Sequence, residues 1–427
     1  MACSETQHLD AGNVDAGTRD SGIDAGVDAG PAPVDGGFDG GLADSGTDAG
    51  DPCPARDVVP TWEMLPEGGA LSGDTSAFYQ TLVVVDDVPY ISFEEYNEGS
   101  GTGSNVFVQR WVGASWETLG GPLSVAEQAS ANSLTLDPMG RIVAAWSEAE
   151  SGLYNVYVRR LSSGVWQDLG GRLGDPASGT GSPSLTATSN GDVYLVYREA
   201  SASGVALHTL RWTGTTWEEA AAVITPTGTY TSHGLPQLHA VDEQVFLSWS
   251  EDGPAGARYH VSRLESGAWA DLGATAQDVM LNQQRMAIDP ATGVIIQAYR
   301  RDLTGIEVRR WNGASWDMLP RPDVGLAGVT GAREPDVAID GRGRVSIVFF
   351  VDGPGAGLYL RRYDDTVGAW RTLVFRDDPD VIASSSGATR ARVGIVSCED
   401  PLVTWTTYVS GTGVVAGLRY HHGPAGE

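Results

Sequence analysis

The chain contains no lysine; all 27 of its basic side chains are arginine, set against 55 acids for a net charge of −28. Such a surface repels phosphodiester backbones, which argues against nucleic acid as a partner. Long apolar runs are missing too, and no stretch approaches the ~20 residues of a membrane-spanning helix. No segment sustains a helical period, so strands must carry the fold. Cysteine is scarce: Cys3, Cys53 and Cys398 are the only three. Their spacing fits neither zinc ligation nor a redox CxxC pair. The histidines (His8, His208, His233, His239, His260, His421 and His422) are scattered, so no metal site is expected. Catalytic signatures are absent as well. There is no GxSxG elbow, HExxH pair, Walker loop or GxGxxG, and no cofactor is implied.

What is present falls into two parts, a tail over 1–59 and a repeat over 60–427. From Asp10 to Asp51 the chain repeats Asp, Ala and Gly with almost nothing apolar to bury. Such a segment repels itself and is predicted to be a disordered, solvated tether. It lacks the ligand spacing of a calcium loop. Its start, Ala2-Cys3-Ser4, resembles the mature N-terminus of a bacterial lipoprotein. That resemblance implies Cys3 as the lipid acceptor and the lipid as the only contact with a membrane.

Past Pro60 one unit recurs, marked by Trp with Leu three residues later: Trp62-Leu65, Trp116-Leu119, Trp166-Leu169, Trp269-Leu272, Trp316-Leu319 and Trp370-Leu373. Trp217 continues the series with Ala220 in the leucine place. The intervals are 54, 50, 51, 52, 47 and 54 residues. Within a unit, four short apolar or alternating segments are separated by Gly, Asp, Asn and Pro, as in Ser133–Leu136, Ile142–Trp146, Tyr154–Arg160 and Trp166–Leu169. Four strands at a period near fifty read as the blades of a β-propeller. The last unit stops after Val414–Tyr420 without its Trp strand, while the first begins with a surplus one at Trp62–Leu65. The expectation is therefore an all-β, seven-bladed propeller whose N-terminal strand completes the C-terminal blade. Closing the ring in this way removes exposed strand edges.

Two charged positions recur. Arg110, Arg160, Arg211, Arg263, Arg310, Arg362 and Arg419 end the third strands; Glu95, Glu148, Glu199, Glu251, Asp302 and Asp352 end the second. Both read as structural ion pairs, cross-strand or blade-to-blade. The repeated tryptophans read as packing between blades. One position departs from the repeat. Near the start of each first strand stand Thr81, Ser133, Ser184, Gln237, Arg285, Asp336 and Arg392, with Arg333, Glu334 and Arg390 close by. In a propeller these starts surround the mouth of the central funnel. Guanidinium groups gathered there point to an anion or carboxylate site. The alternative is charges paired with one another around a wet channel.

On its Trp-x-x-Leu strands and segments such as Arg309-Arg310-Trp311, the region 60–427 resembles bacterial secreted and surface β-propellers of the sialidase-like and lectin-like kind. The resemblance implies binding of a glycan or a protein on the top face, outside the cell, by a monomer. A glycan-processing hydrolase is the alternative it implies. The sialidase Asp-box, Ser-x-Asp-x-Gly-x-x-Trp, is only partly matched, at Asp340-Gly341-Arg342-Gly343, and sialidase propellers usually have six blades. An exported chain would also be oxidised. Cys398 falls at the bottom turn of the last blade, three strand spacings or ~14 Å from the strand that Trp62 begins. The residues between Pro54 and Thr61 can span ~26 Å. A Cys53–Cys398 disulfide locking the ring is therefore expected.

Overall fold

The computed structural model describes residues 61–421 apart from 69–74, 98–103, 125–127, 202–203, 227–231, 255, 276–278, 302–304, 327–330, 354–355, 377–389, 397–399 and 410–411. The tail, Cys3, Cys53 and Cys398 lie outside the described residues. Among the described residues every regular element is a strand, and the strands form seven antiparallel sheets. Blades one to six occupy 75–118, 129–168, 180–219, 232–274, 279–319 and 331–376, each with its strands in chain order. Blade four has its inner strand split into Ser232–His233 and Gln237–Val241, both paired with Gln244–Asp252. The break falls at Pro236, which has no N–H for the ladder.

Blade seven combines both ends of the repeat. Thr61–Gly68 pairs antiparallel with Thr412–His421, outside Asp400–Val409 and Arg392–Val396. The register sets Trp62 opposite Tyr420 and Leu65 opposite Gly417. A Cβ at Gly417 would lie 3.1 Å from a Leu65 methyl carbon, so the glycine leaves room for the leucine to seat. Leu65 is buried with Trp111, Val396 and Leu402, and Leu82 and Val84 of blade one pack against them. The ring is closed as the repeat count predicts.

The core is divided among the seams. Val143, Ala145 and Val158 of blade two meet Leu185, Leu195 and Tyr197 of blade three. Val348, Phe350 and Leu358 of blade six meet Val393, Val403 and Trp405 of blade seven in the same way. Alternate residues of each second and third strand face opposite neighbours, so both sheet faces are apolar. That explains why the second strands read as continuous runs.

The Trp-x-x-Leu repeat is a clasp between blades. The indole Nε1–H of Trp166 donates to the Leu119 carbonyl at 3.0 Å, and that of Trp217 to the Leu169 carbonyl at 2.7 Å. Trp316 reaches Leu272 at 2.6 Å, and Trp370 reaches Pro320 at 2.6 Å. Each tryptophan thus grips the outer strand of the preceding blade. In two of these clasps the residue after the leucine is a glycine pressed against the indole. Gly120 and Gly170 have φ of +67° and +89°, and a Cβ there would sit 2.6 and 2.8 Å from the next indole. At the seam between blades three and four, where Ala220 replaces leucine, the buried Trp269 Nε1–H has no acceptor among the described residues.

Recurring charges form ion pairs with residues outside the two series. The register places Glu95 opposite Asn105 and Arg110 opposite Tyr90, at opposite ends of one hairpin. Arg110 instead pairs with Glu117 on the outer strand at 2.7 Å, and Arg310 crosses to Asp365 of blade six at 2.8 Å. Glu251 binds the adjacent third strand, taking Arg258 at 2.8 Å and His260 at 2.9 Å, whereas Asp352 takes Arg333 of the first strand at 3.2 Å.

Candidate ligand-binding funnel

The inner strands of blades one, two, three and six each carry a β-bulge where they meet the central channel. Register shifts fall between Phe78 and Thr81, Ser130 and Ser133, Gly181 and Ser184, and Arg333 and Asp336. The residue inside each bulge is left-handed although it is not glycine: Tyr79 (φ 51°), Ala131 (52°), Ser182 (51°) and Glu334 (52°). Such backbone costs of order 1–3 kcal/mol per residue and persists where the surroundings impose it. The bulge bends the strand and re-aims the side chains that follow it.

Those side chains fasten neighbouring blades. Ser133 Oγ accepts the Leu185 N–H at 3.0 Å, Ser184 Oγ accepts the Leu238 N–H at 3.0 Å, and Asp336 Oδ2 accepts the Val393 N–H at 2.9 Å. Gln237 donates through Nε2 to the Gln284 carbonyl at 2.9 Å. The ring of first-strand positions is therefore a set of stitches before it is anything else.

Inside the ring lies a cavity of about 710 Å³, and Gln237, Arg285, Asp336, Arg390 and Arg392 all line it. Arg285 Nε stands 3.4 Å from Asp336 Oδ1. Arg392 is buried and acts on the same carboxylate. Burial lowers the affinity of Arg285 and Arg392 for their protons and raises that of Asp336, with the mutual attraction working against both shifts. Arg333 sits between Glu334 at 3.6 Å and Asp352 at 3.2 Å. Arg390 is different. Its guanidinium stacks on the Tyr79 ring at 4.7 Å and makes no ion pair within 4.0 Å among the described residues. Arg285 and Arg392 of the cavity wall thus share Asp336, and Arg390 adds a third guanidinium to that wall.

Sequence reasoning missed part of the wall. Tyr79, Glu94 and Tyr96 of blade one, and His239 of blade four, line the same cavity. Glu94 Oε1 accepts the Ala131 N–H at 2.6 Å, and Oε2 accepts the Tyr96 hydroxyl at 3.1 Å. Burial pushes the Glu94 carboxyl up to about 7, with its hydrogen bond from Ala131 and the charge of Arg390 opposing. Burial, then Arg285, push His239 down to about 4, so its imidazole is neutral. Tyr79 was legible in principle, because it holds the same bulge position as Glu334. Glu94 lies on a second strand, where only the cross-strand register turns it toward the channel.

No protein-family model matches the chain, and no curated protein does. Its shape does have parallels. A protein of unknown function from Dyadobacter fermentans aligns with a TM-score of 0.51 and 12% identity, over 85% of this chain and 100% of that one. The Trypanosoma rangeli sialidase aligns at 0.46 and 10%, over 85% and 60%. An α-L-arabinofuranosidase from Fusarium graminearum aligns at 0.43 and 13%, over 68% and 92%. The chain is a seven-bladed β-propeller. Identities this low speak to fold alone, and unrelated activities occupy propellers.

The arginines of the funnel wall can hold an anion. Guanidinium groups recognise carboxylates through paired N–H donors. The hydroxyl-rich side, with Thr81, Ser133 and Ser184, adds neutral polar contacts.

Proposed function

We propose that the protein is an exported, non-enzymatic binding protein that holds a carboxylate-bearing ligand, a glycan or an acidic protein segment, in the funnel of its propeller. Arg390 carries the reading: it reaches the cavity with no ion-pair partner among the described residues, beside Arg285 and Arg392, which share Asp336. In the free protein its charge is opposed by the Glu94 carboxyl, which burial pushes up to about 7, and a ligand carboxylate would supply a stronger counter-charge. In this proposal the acidic tail is a tether anchored through Cys3, and Cys53 pairs with Cys398 once the chain is outside the cell. A glycan array identifies ligands, and calorimetry with the Arg390→Gln variant tests the site. An acidic glycan should bind the variant at least tenfold more weakly while the thermal midpoint holds. Equal binding by the two proteins would remove the funnel from consideration.

A second reading has one observation in its favour. Hydrolysis of a glycoside calls for a nucleophile and a proton-transfer group beside the anion site. Tyr96 and Glu94, hydrogen-bonded at 3.1 Å on the cavity wall, could supply them. Incubating the protein with each glycan that binds, and measuring released sugar, separates the two readings. Release that is abolished in Tyr96→Phe would make the protein a hydrolase.

A further inference from the structure

Resting on the reading of the funnel as an anion site, we propose that ligand binding there is coupled to protonation of Glu94. In the free protein the Glu94 carboxylate is the nearby counter-charge of Arg390. An acidic ligand replaces it in that role, and Glu94 takes up one proton.

Glu94 departs from the repeat. The cross-strand partners of the funnel ring are Ser92, Ala145, Val196, Ser248, Ala298, Val348 and Thr404, one per blade. Two residues beyond each partner, the other blades carry serine (two and four), arginine (three and five), Phe350 or Thr406. Blade one alone places a carboxylate there. Structure does not demand it: the equivalent Ser147 and Ser250 hydroxyls have no partner among the described residues, yet their seams close. Glu94 is also 2% exposed, so its charge is poorly hydrated and its proton is readily exchanged against a neighbour's charge.

The groups around it define what it senses. Tyr79 and Tyr96 face it from its own blade, and Arg390 from blade seven. Blade two presents Ser130, Ala131 and Asn132, none of them charged. Arg285, Arg392, Asp336 and His239 lie elsewhere on the cavity wall, with Glu334 beside Arg333. With the free carboxyl titrating at about 7, the unliganded funnel spans both states across the neutral range. A ligand carboxylate stays ionised through that range and drives the Glu94 proton on. One proton linked to binding changes affinity by at most ~10-fold per pH unit.

The full chain is titrated with glucuronate and with N-acetylneuraminate at pH 6, 7 and 8, with glucose as the neutral control. Calorimetry is run in two buffers of different ionisation enthalpy, which counts protons. The expected result is affinity about tenfold weaker at pH 8 than at pH 6, with a proton taken up on binding at pH 8. Glu94→Gln, whose amide oxygen can still accept the Ala131 N–H, should bind with the strength seen at pH 6 throughout. Affinity independent of pH in the parent overturns the coupling. A slope that survives in Glu94→Gln assigns the proton to Glu334 or Asp336 and overturns it too. Should that variant not fold, absence of proton uptake by the parent at pH 8 is equally decisive. Failure of both acids to bind at every pH defeats the anion site itself, and the coupling with it.

Discussion

Replacing Trp217 by phenylalanine removes the hydrogen bond from Nε1 to the Leu169 carbonyl and leaves that acceptor unpaired at a buried seam. The same replacement at Trp269 removes an N–H that is buried and already unpaired among the described residues. Both changes trade indole for phenyl at a half-buried position on an outer strand, so the lost apolar area is similar. The difference between them isolates the clasp. A net hydrogen bond contributes ~1 kcal/mol, and an orphaned buried acceptor costs ~1–3 kcal/mol. Trp217→Phe should therefore destabilise the protein by about 1–3 kcal/mol more than Trp269→Phe. Urea unfolding followed by circular dichroism measures both, and unchanged m values show that the native and unfolded states are comparable. Equal losses, or a larger loss at Trp269, would mean that the indoles act by bulk alone.

Deleting residues 61–66 should open blade seven to three strands and expose the edge of Thr412–His421; light scattering should then report aggregation. A truncated protein that stays monomeric and as stable as its parent would refute closure by the N-terminal strand. His208 Nδ1 lies 2.9 Å from Glu219 Oε1, and that hydrogen bond raises the imidazole above its ordinary value near 6.5. A raised value means the folded state holds the proton more tightly. Its stabilisation is then complete below about 6.5 and lost as pH rises through the higher folded value. The urea midpoint of the parent should fall relative to that of His208→Gln between pH 6 and 8, and parallel profiles would reject the bridge.

Much of this protein was legible in the sequence because its repeat is enforced seven times over by one local demand. A strand pattern bounded by turns, and a tryptophan at a period near fifty, specify the blade; the surplus Trp62 strand and the missing last strand specify how the ring closes. Alignment of the repeats also brought Gln237, Arg285, Asp336, Arg390 and Arg392 to one cavity wall, because equivalent positions in a closed ring converge on its axis. Partners were another matter. Which acid meets Arg110 or Arg310, and that Asp336 is already stitched to Val393, depend on register across strands and seams. Glu94 and Tyr96 join the funnel because a bulge in blade two brings the Ala131 amide to the carboxylate. Periodicity is set along the chain by backbone and burial. Charge pairing is set through space, where only the folded ring determines which groups share a few ångströms of desolvated volume.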